Sequence, residues 1–293
     1  MGSALLEAVV KIRMVHMTKS TNDADTGDFV EARIEAQNAA QWLARLALSY
    51  AEHSGSDEEV RLLWDRAAQR IVTPEVAPGT ALELSLPTLT LQFLENGKPS
   101  PHAIDIDGKS STEVEAWLLV ELLHRGFDRD AFSKQLPYRW GHLMSGDVAK
   151  YSPQRLAEEL RDLTQRFEDA AEILVQMKRA VAVQDDGSKN KASSKAPSEE
   201  LICWPDGLDI GFLIPTFASG ATDGLIKVGF TLGDDKFVQP GFFVDNASAA
   251  SPVSREQTIV LPISQIARDA MSRADVVDYV ASKVKDSRRL ASN

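Results

Sequence analysis

The chain has 293 residues, 43% hydrophobic and 26% charged, with 32 Lys and Arg against 43 Asp and Glu for a formal net charge of −11. Such a chain is globular and long enough to bury one large core or two small ones, and its acidic balance argues against a partner that is a nucleic acid. No stretch approaches the roughly 18–20 apolar residues a bilayer requires, so no membrane partner is expected. The single cysteine, Cys203, excludes intrachain disulfides and cysteine-based zinc clusters.

Residues 1–28 read as a leader in which Leu5, Leu6, Val9, Val10 and Ile12 can dock on the body. Glu7, Lys11 and Arg13 interrupt its apolar run and no basic stretch precedes it, which argues against a secretory signal. With one free thiol, the expected compartment is the cytoplasm. Residues 29–53 place Val30, Ile34, Ala39, Trp42, Leu43, Leu46 and Leu48 at helical spacing, with Gly55 as a stop. A shorter piece, Glu58 to Arg70, adds Leu62, Leu63 and Trp64 before the pattern changes.

ALELSLP and TLTLQFL then alternate strictly, with Leu82, Leu84, Leu86, Leu89, Leu91 and Phe93 facing one way, as half-buried antiparallel strands do. Asn96-Gly97 is a turn signal leading to a third strand, HAIDID. Ser110 and Glu113 have the spacing of a capping box before a helix closed by Gly126. A loop from Gln135 to Gly146 follows, carrying LPYRWGH. Ser152-Pro153 has the N-cap and N1 pairing that opens a helix, amphipathic to about Ala182.

Residues 185–200 hold no large apolar side chain and read as a flexible linker. Beyond it LDIGFLI, LIKVGFTL, KFVQPGFFV and QTIVLP are strand-like. Two helices follow, from Ile263 and from Ala274, and then a fraying RRLASN tail. The expected class is α+β, with two helix-flanked antiparallel sheet halves at 29–150 and 201–293 around the long helix 151–184 and the linker. The matching order of elements suggests a pseudo-duplication, without a residue-level repeat.

The phosphate-loop patterns G-x-x-x-x-G-K-[ST] and G-x-G-x-x-G are missing, as is the nucleophile elbow G-x-S-x-G. No cofactor is therefore assigned. His16, His53, His102, His124 and His142 form no H-x-x-x-H or H-x-H pair, and no metal site is assigned. Whether His102, His124 or His142 meets a carboxylate in space is not a matter that spacing decides. His53 and His124 read as helix-surface or capping residues. Asp105 and Asp107 read as the solvent face of a strand ending in an Asp-Gly turn, and Asp234-Asp235 as a hairpin turn. No base sits near Cys203, which favours a structural cysteine over a nucleophile.

Two clusters stand out as candidate binding surfaces. One is the loop bearing Tyr138, Arg139, Trp140 and His142; the other is CWPDGLD, with Trp204 and Asp209. Both sit at connections just outside a sheet and are expected to border one groove, with Asp234 as a further acidic candidate.

The second cluster also carries a resemblance. Trp204, Pro205 and Asp209, followed by Val228, Gly229, Gly233, Asp234, Pro240, Phe243 and Val244, resemble an uncharacterised bacterial family of unknown function. Its members show W-P-x-H-F-D and V-G-x-S-P-G-D-x-x-Y-x-E-P-Y-x-Y-V stretches. Where that pattern has His-Phe this chain has Gly207-Leu208, and Glu-Pro-Tyr becomes Gln239-Pro240-Gly241. The resemblance implies no activity, substrate or cofactor.

The sequence therefore favours a non-catalytic binding or protein-interaction module, acting through self-association or a protein partner. The alternative is a small-molecule enzyme, an acid/base hydrolase or isomerase, with Tyr138, Arg139, His142 and Asp209 in a cleft between the halves.

Overall fold

A computed structural model describes residues 27–52, 60–185, 199–215, 225–233, 239–247 and 258–291. The leader up to residue 26, most of the expected linker, and Asp234 with Asp235 lie outside the described residues. The fold is α+β, and its strands pair antiparallel.

The chain divides into two compact units that do not follow its order. One comprises Thr26–Gln165 and Ile202–Leu208, the other Arg166–Leu201 and Asp209–Asn293, apart from the leader. The first holds α1 (Gly27–Tyr50), β1 (Leu62–Asp65), β2 (Arg70–Val72), β3 (Thr80–Ser85), β4 (Thr90–Glu95), β5 (Lys98–Pro99), β6 (Ile104–Asp105) and α2 (Ser111–His124). It also takes the start of the long helix α3 (Ala157–Asp185) and all but the first residue of β7 (Leu201–Trp204). Its strands lie in the order β7-β1-β2-β3-β4-β5, with β6 also on β4.

The alternation read in the two leucine-rich strands is present, and Leu82, Leu84, Leu86, Leu89, Leu91 and Phe93 are all fully buried. Helix α1 covers this sheet through β1 and β3, inserting Trp42, Leu43 and Leu46. Burying each such side chain contributes about 1.5–3 kcal/mol. β3 also buries Ala81 and Glu83 on its other face, where the Glu83 carboxylate meets Arg70. Residues 62–72 form a hairpin in place of a helix-like piece. Asp65 Oδ1 accepts the amides of Ala67 and Ala68, and Gln69 turns the chain at φ 54°.

The third strand is shorter than expected, because Asp105 Oδ1 accepts the Asp107 amide at 3.0 Å and draws the backbone out of the ladder into a turn. Asn96 and Gly97 both adopt positive φ in the β4–β5 turn, and the Ser110/Glu113 capping box is complete.

Helix α3 begins at Ala157 rather than at Pro153. The Ser152 hydroxyl, read as its cap, donates instead to Glu35 Oε1 at 2.6 Å, and the Ser152 amide donates to the same carboxylate at 2.9 Å. Burial nonetheless raises the Glu35 pKa above its ordinary 4.5, outweighing those two bonds. A carboxyl with a raised folded pKa contributes stability below its ordinary value and loses it as pH climbs through the folded one. Stability is therefore expected to fall across that window and Glu35→Gln to flatten the fall. Denaturant titrations of both proteins between about pH 4 and pH 8 check this, and identical profiles would refute it.

The second unit carries β8 (Asp209–Pro215), β9 (Leu225–Thr231), β10 (Gly241–Ala247) and β11 (Thr258–Pro262) in the order β11-β10-β9-β8. Helices α4 (Ile263–Arg268) and α5 (Arg273–Ala291) complete it, so the residues read as a fraying tail are helical through Ala291. Helix α5 packs on β9, β10 and β11. Phe242 and Phe243 point to opposite faces of β10 yet both are fully buried, so both faces of that strand are covered. A bulge between them shifts the β10–β11 register.

Candidate functional site

The candidate loop is held from below by one face of α1. Gln37, Asn38 and Gln41 lie one to four residues apart and are all buried, a costly placement for amides unless every polar atom finds a partner. Gln41 Nε2 donates to the Gln37 and Pro205 carbonyls, each at 2.8 Å, while its Oε1 accepts from the Tyr138 hydroxyl at 2.6 Å. Gln37 Nε2 donates to the Asp206 carbonyl at 2.8 Å. Asn38 Nδ2 donates to the Ile34 and His142 carbonyls, and its Oδ1 accepts the Met144 amide at 2.7 Å.

The loop and the Pro205-Asp206 part of the second cluster are thus held on one face of α1 within the first unit. Gln41 bonds to both, Asn38 to the loop and Gln37 to Asp206, three amides that the sequence does not single out. Their only signal is polar side chains at helical spacing beside Ala36, Ala39 and Ala40, which reads equally well as a solvent face. Beneath them Trp42 Nε1 donates to the Tyr151 hydroxyl at 3.2 Å, and burial pushes the Tyr151 pKa up to about 12.

The loop's own side chains divide. Tyr138 is half-buried and bonded to Gln41, while Arg139 and His142 are exposed. Trp140 is half-buried, its ring edge-on to His142 with centroids 5.9 Å apart. Leu143 and Val148 are exposed at 38% and 98%, two of four large apolar side chains so placed among the described residues. Trp204 is wholly buried at the end of β7, and Cys203 beside it is buried too. Asp209 opens β8 in the other unit and is buried there.

A second group lies elsewhere in the first unit. His102, in the β5–β6 connection, and Glu121 and His124, one turn apart on α2, bring their ligand atoms within 4.8 Å of one another. The spacing of the five histidines assigned no metal; this convergence depends on α2 packing beside that connection, which sequence periodicity does not specify.

No family model, curated protein or solved structure matches the chain. Chemistry must be read from the residues themselves. The loop site offers one exposed cation, one exposed imidazole and apolar surface on a fixed backbone. No helix among the described residues is long and apolar enough to cross a membrane.

Proposed function

We propose that the chain is a non-catalytic binding module that presents the 137–144 loop to a protein partner with an acidic surface. The observation that carries this reading is that buried Asn38 holds the loop's backbone at His142 and Met144 while buried Gln41 takes the Tyr138 hydroxyl, leaving Arg139, His142 and Leu143 exposed and Trp140 half-exposed. Pre-ordering a loop removes entropy that association would otherwise cost, and Arg and Trp are the side chains on which interface affinity concentrates. Residues 131–146 contain no Asp or Glu, and with Lys134 paired to Glu115 the exposed Arg139 is the charge the loop presents, on a chain of net charge −11, which favours an acidic partner.

The resemblance supports the same reading. Gly207-Leu208 and Gln239-Pro240-Gly241 replace the His, Glu and Tyr with which the family pattern could act on a substrate.

A photo-crosslinking amino acid at position 140, introduced in cells of the source organism, is expected to trap one defined protein. The same group at exposed Lys98 is expected to trap none of it. With that protein purified, Arg139→Glu and Trp140→Ala should each weaken the complex about tenfold or more. Equal crosslinking at both positions, or affinities that neither substitution changes, would overturn the proposal.

A further inference from the structure

We propose that His102, Glu121 and His124 form a binding site for one divalent transition-metal ion of the zinc class. His102 Nδ1 lies 3.4 Å and His124 Nδ1 3.7 Å from the same atom, Glu121 Oε1. Both distances exceed an ordinary N–H···O hydrogen bond of about 2.7–3.2 Å. They lie close to the edge of a coordination tetrahedron, about 3.3–3.6 Å for metal–ligand bonds of about 2.0–2.2 Å: the first falls within it, the second stands just beyond, and all three ligand atoms are within 4.8 Å of one another.

Each ligand is placed by an element of known cause. Buried Ser100 ties down the start of the β5–β6 connection, its amide donating to the Phe93 carbonyl at 2.8 Å and its carbonyl accepting from Gln92 Nε2. Pro101 then stiffens the approach to His102. Glu121 and His124 are neighbours on the α2 surface because three residues make nearly one turn.

The carboxylate is aimed by Arg125, whose Nη1 binds Glu121 Oε2 at 2.6 Å and the Glu121 carbonyl at 3.0 Å. Arg125 is itself fixed by Glu95 at 3.1 Å and by stacking 4.2 Å above the Phe93 ring. One carboxylate oxygen is therefore occupied, and the other is turned towards both imidazoles. Such outer partners are what orient metal ligands.

Two nitrogens and one oxygen suit zinc and its late first-row neighbours and fail to provide the six or more oxygens that calcium takes. The histidine side chains are 62% and 58% exposed, so a fourth position opens to solvent and the rings can swing inward by the small amount closure requires. The inference stands apart from the loop reading, since the two groups share no residue.

The test is calorimetric titration of Zn2+ into chelator-stripped full-length protein. One ion per chain is expected at this site, with Mg2+ giving no heat. His102→Ala and His124→Ala, both at exposed positions that leave the fold intact, should each weaken binding about tenfold or more, while His142→Ala should not. Co2+ in place of zinc should give visible d–d absorption that either substitution alters. No zinc binding below about 1 mM, or binding and a Co2+ spectrum unchanged in the His102→Ala/His124→Ala double variant, would overturn the site.

Discussion

Gly229→Ala is expected to destabilise the unit built on β8–β11 by about 3 kcal/mol. Gly229 sits in β9 directly between Gly211 of β8 and Phe243 of β10. A Cβ there would come within 2.5 and 2.9 Å of Phe243 ring carbons and 2.8 Å of the Ile210 carbonyl oxygen. The ring is fully buried and the carbonyl is backbone, so neither can swing aside.

Two controls make the cause visible in urea unfolding. Gly141→Ala, where a Cβ meets nothing within 4 Å, should change stability by less than about 0.5 kcal/mol. Phe243→Leu combined with Gly229→Ala should recover part of the loss and leave the share caused by the Ile210 carbonyl. A Gly229→Ala protein as stable as the parent would mean that the Ile210 carbonyl and the Phe243 ring do not approach Gly229 this closely. The Val228-Gly229 and Phe243 positions of the resemblance thus have a packing reason that requires no chemistry.

Gln41→Leu should cost a similar amount, about 3 kcal/mol, for a different reason. The leucine fills the space but leaves the Pro205 carbonyl without its present donor, a buried loss of about 1–3 kcal/mol, and also removes the acceptor of the half-buried Tyr138 hydroxyl, worth about 1 kcal/mol. Tyr138→Phe removes only one of these bonds and should cost about 1 kcal/mol. Hydrogen exchange separates this from general destabilisation. Amides of 138–144 and 202–207 should lose protection in Gln41→Leu well before those of β3 and β4 do. Uniform loss across the unit would show that the amide does not hold the loops in particular.

The elements most legible in the sequence are those whose signal is local. Leucine alternation in β3 and β4, Asn96-Gly97, and the Ser110/Glu113 box each specify a conformation through near neighbours, and all are present. Ser152-Pro153 is the instructive departure: a sound helix-start signal is displaced by four residues because Glu35, 117 positions earlier, takes the capping hydroxyl. The Glu58–Arg70 piece departs for a related reason, since Leu62, Trp64 and Ile71 fit a hairpin's buried side as readily as a helix stripe.

The loop cluster at 138–142 was legible by its composition, and helix α1 holds the Pro205-Asp206 segment as well as that loop. What holds them together was not legible, because a buried glutamine and a solvated one look alike in a helical repeat. Trp204 stood out for its size and proves to be wholly buried. The convergence of His102 with Glu121 and His124 is equally silent in one dimension.

The interrupted course of the first unit bears on how the chain is made. Gln37 and Gln41 find their carbonyl partners 169 and 164 residues later, and β1 finds β7 as its neighbour only when residues 202–204 exist. A ribosome that has released residue 165 has thus produced α1 with unanswered amides and a sheet with an open β1 edge. At roughly 5–20 residues per second, the missing strand follows only after some seconds. Through that interval the nascent chain carries a strand edge able to pair with a neighbour, which makes translation speed across 166–208 a determinant of yield.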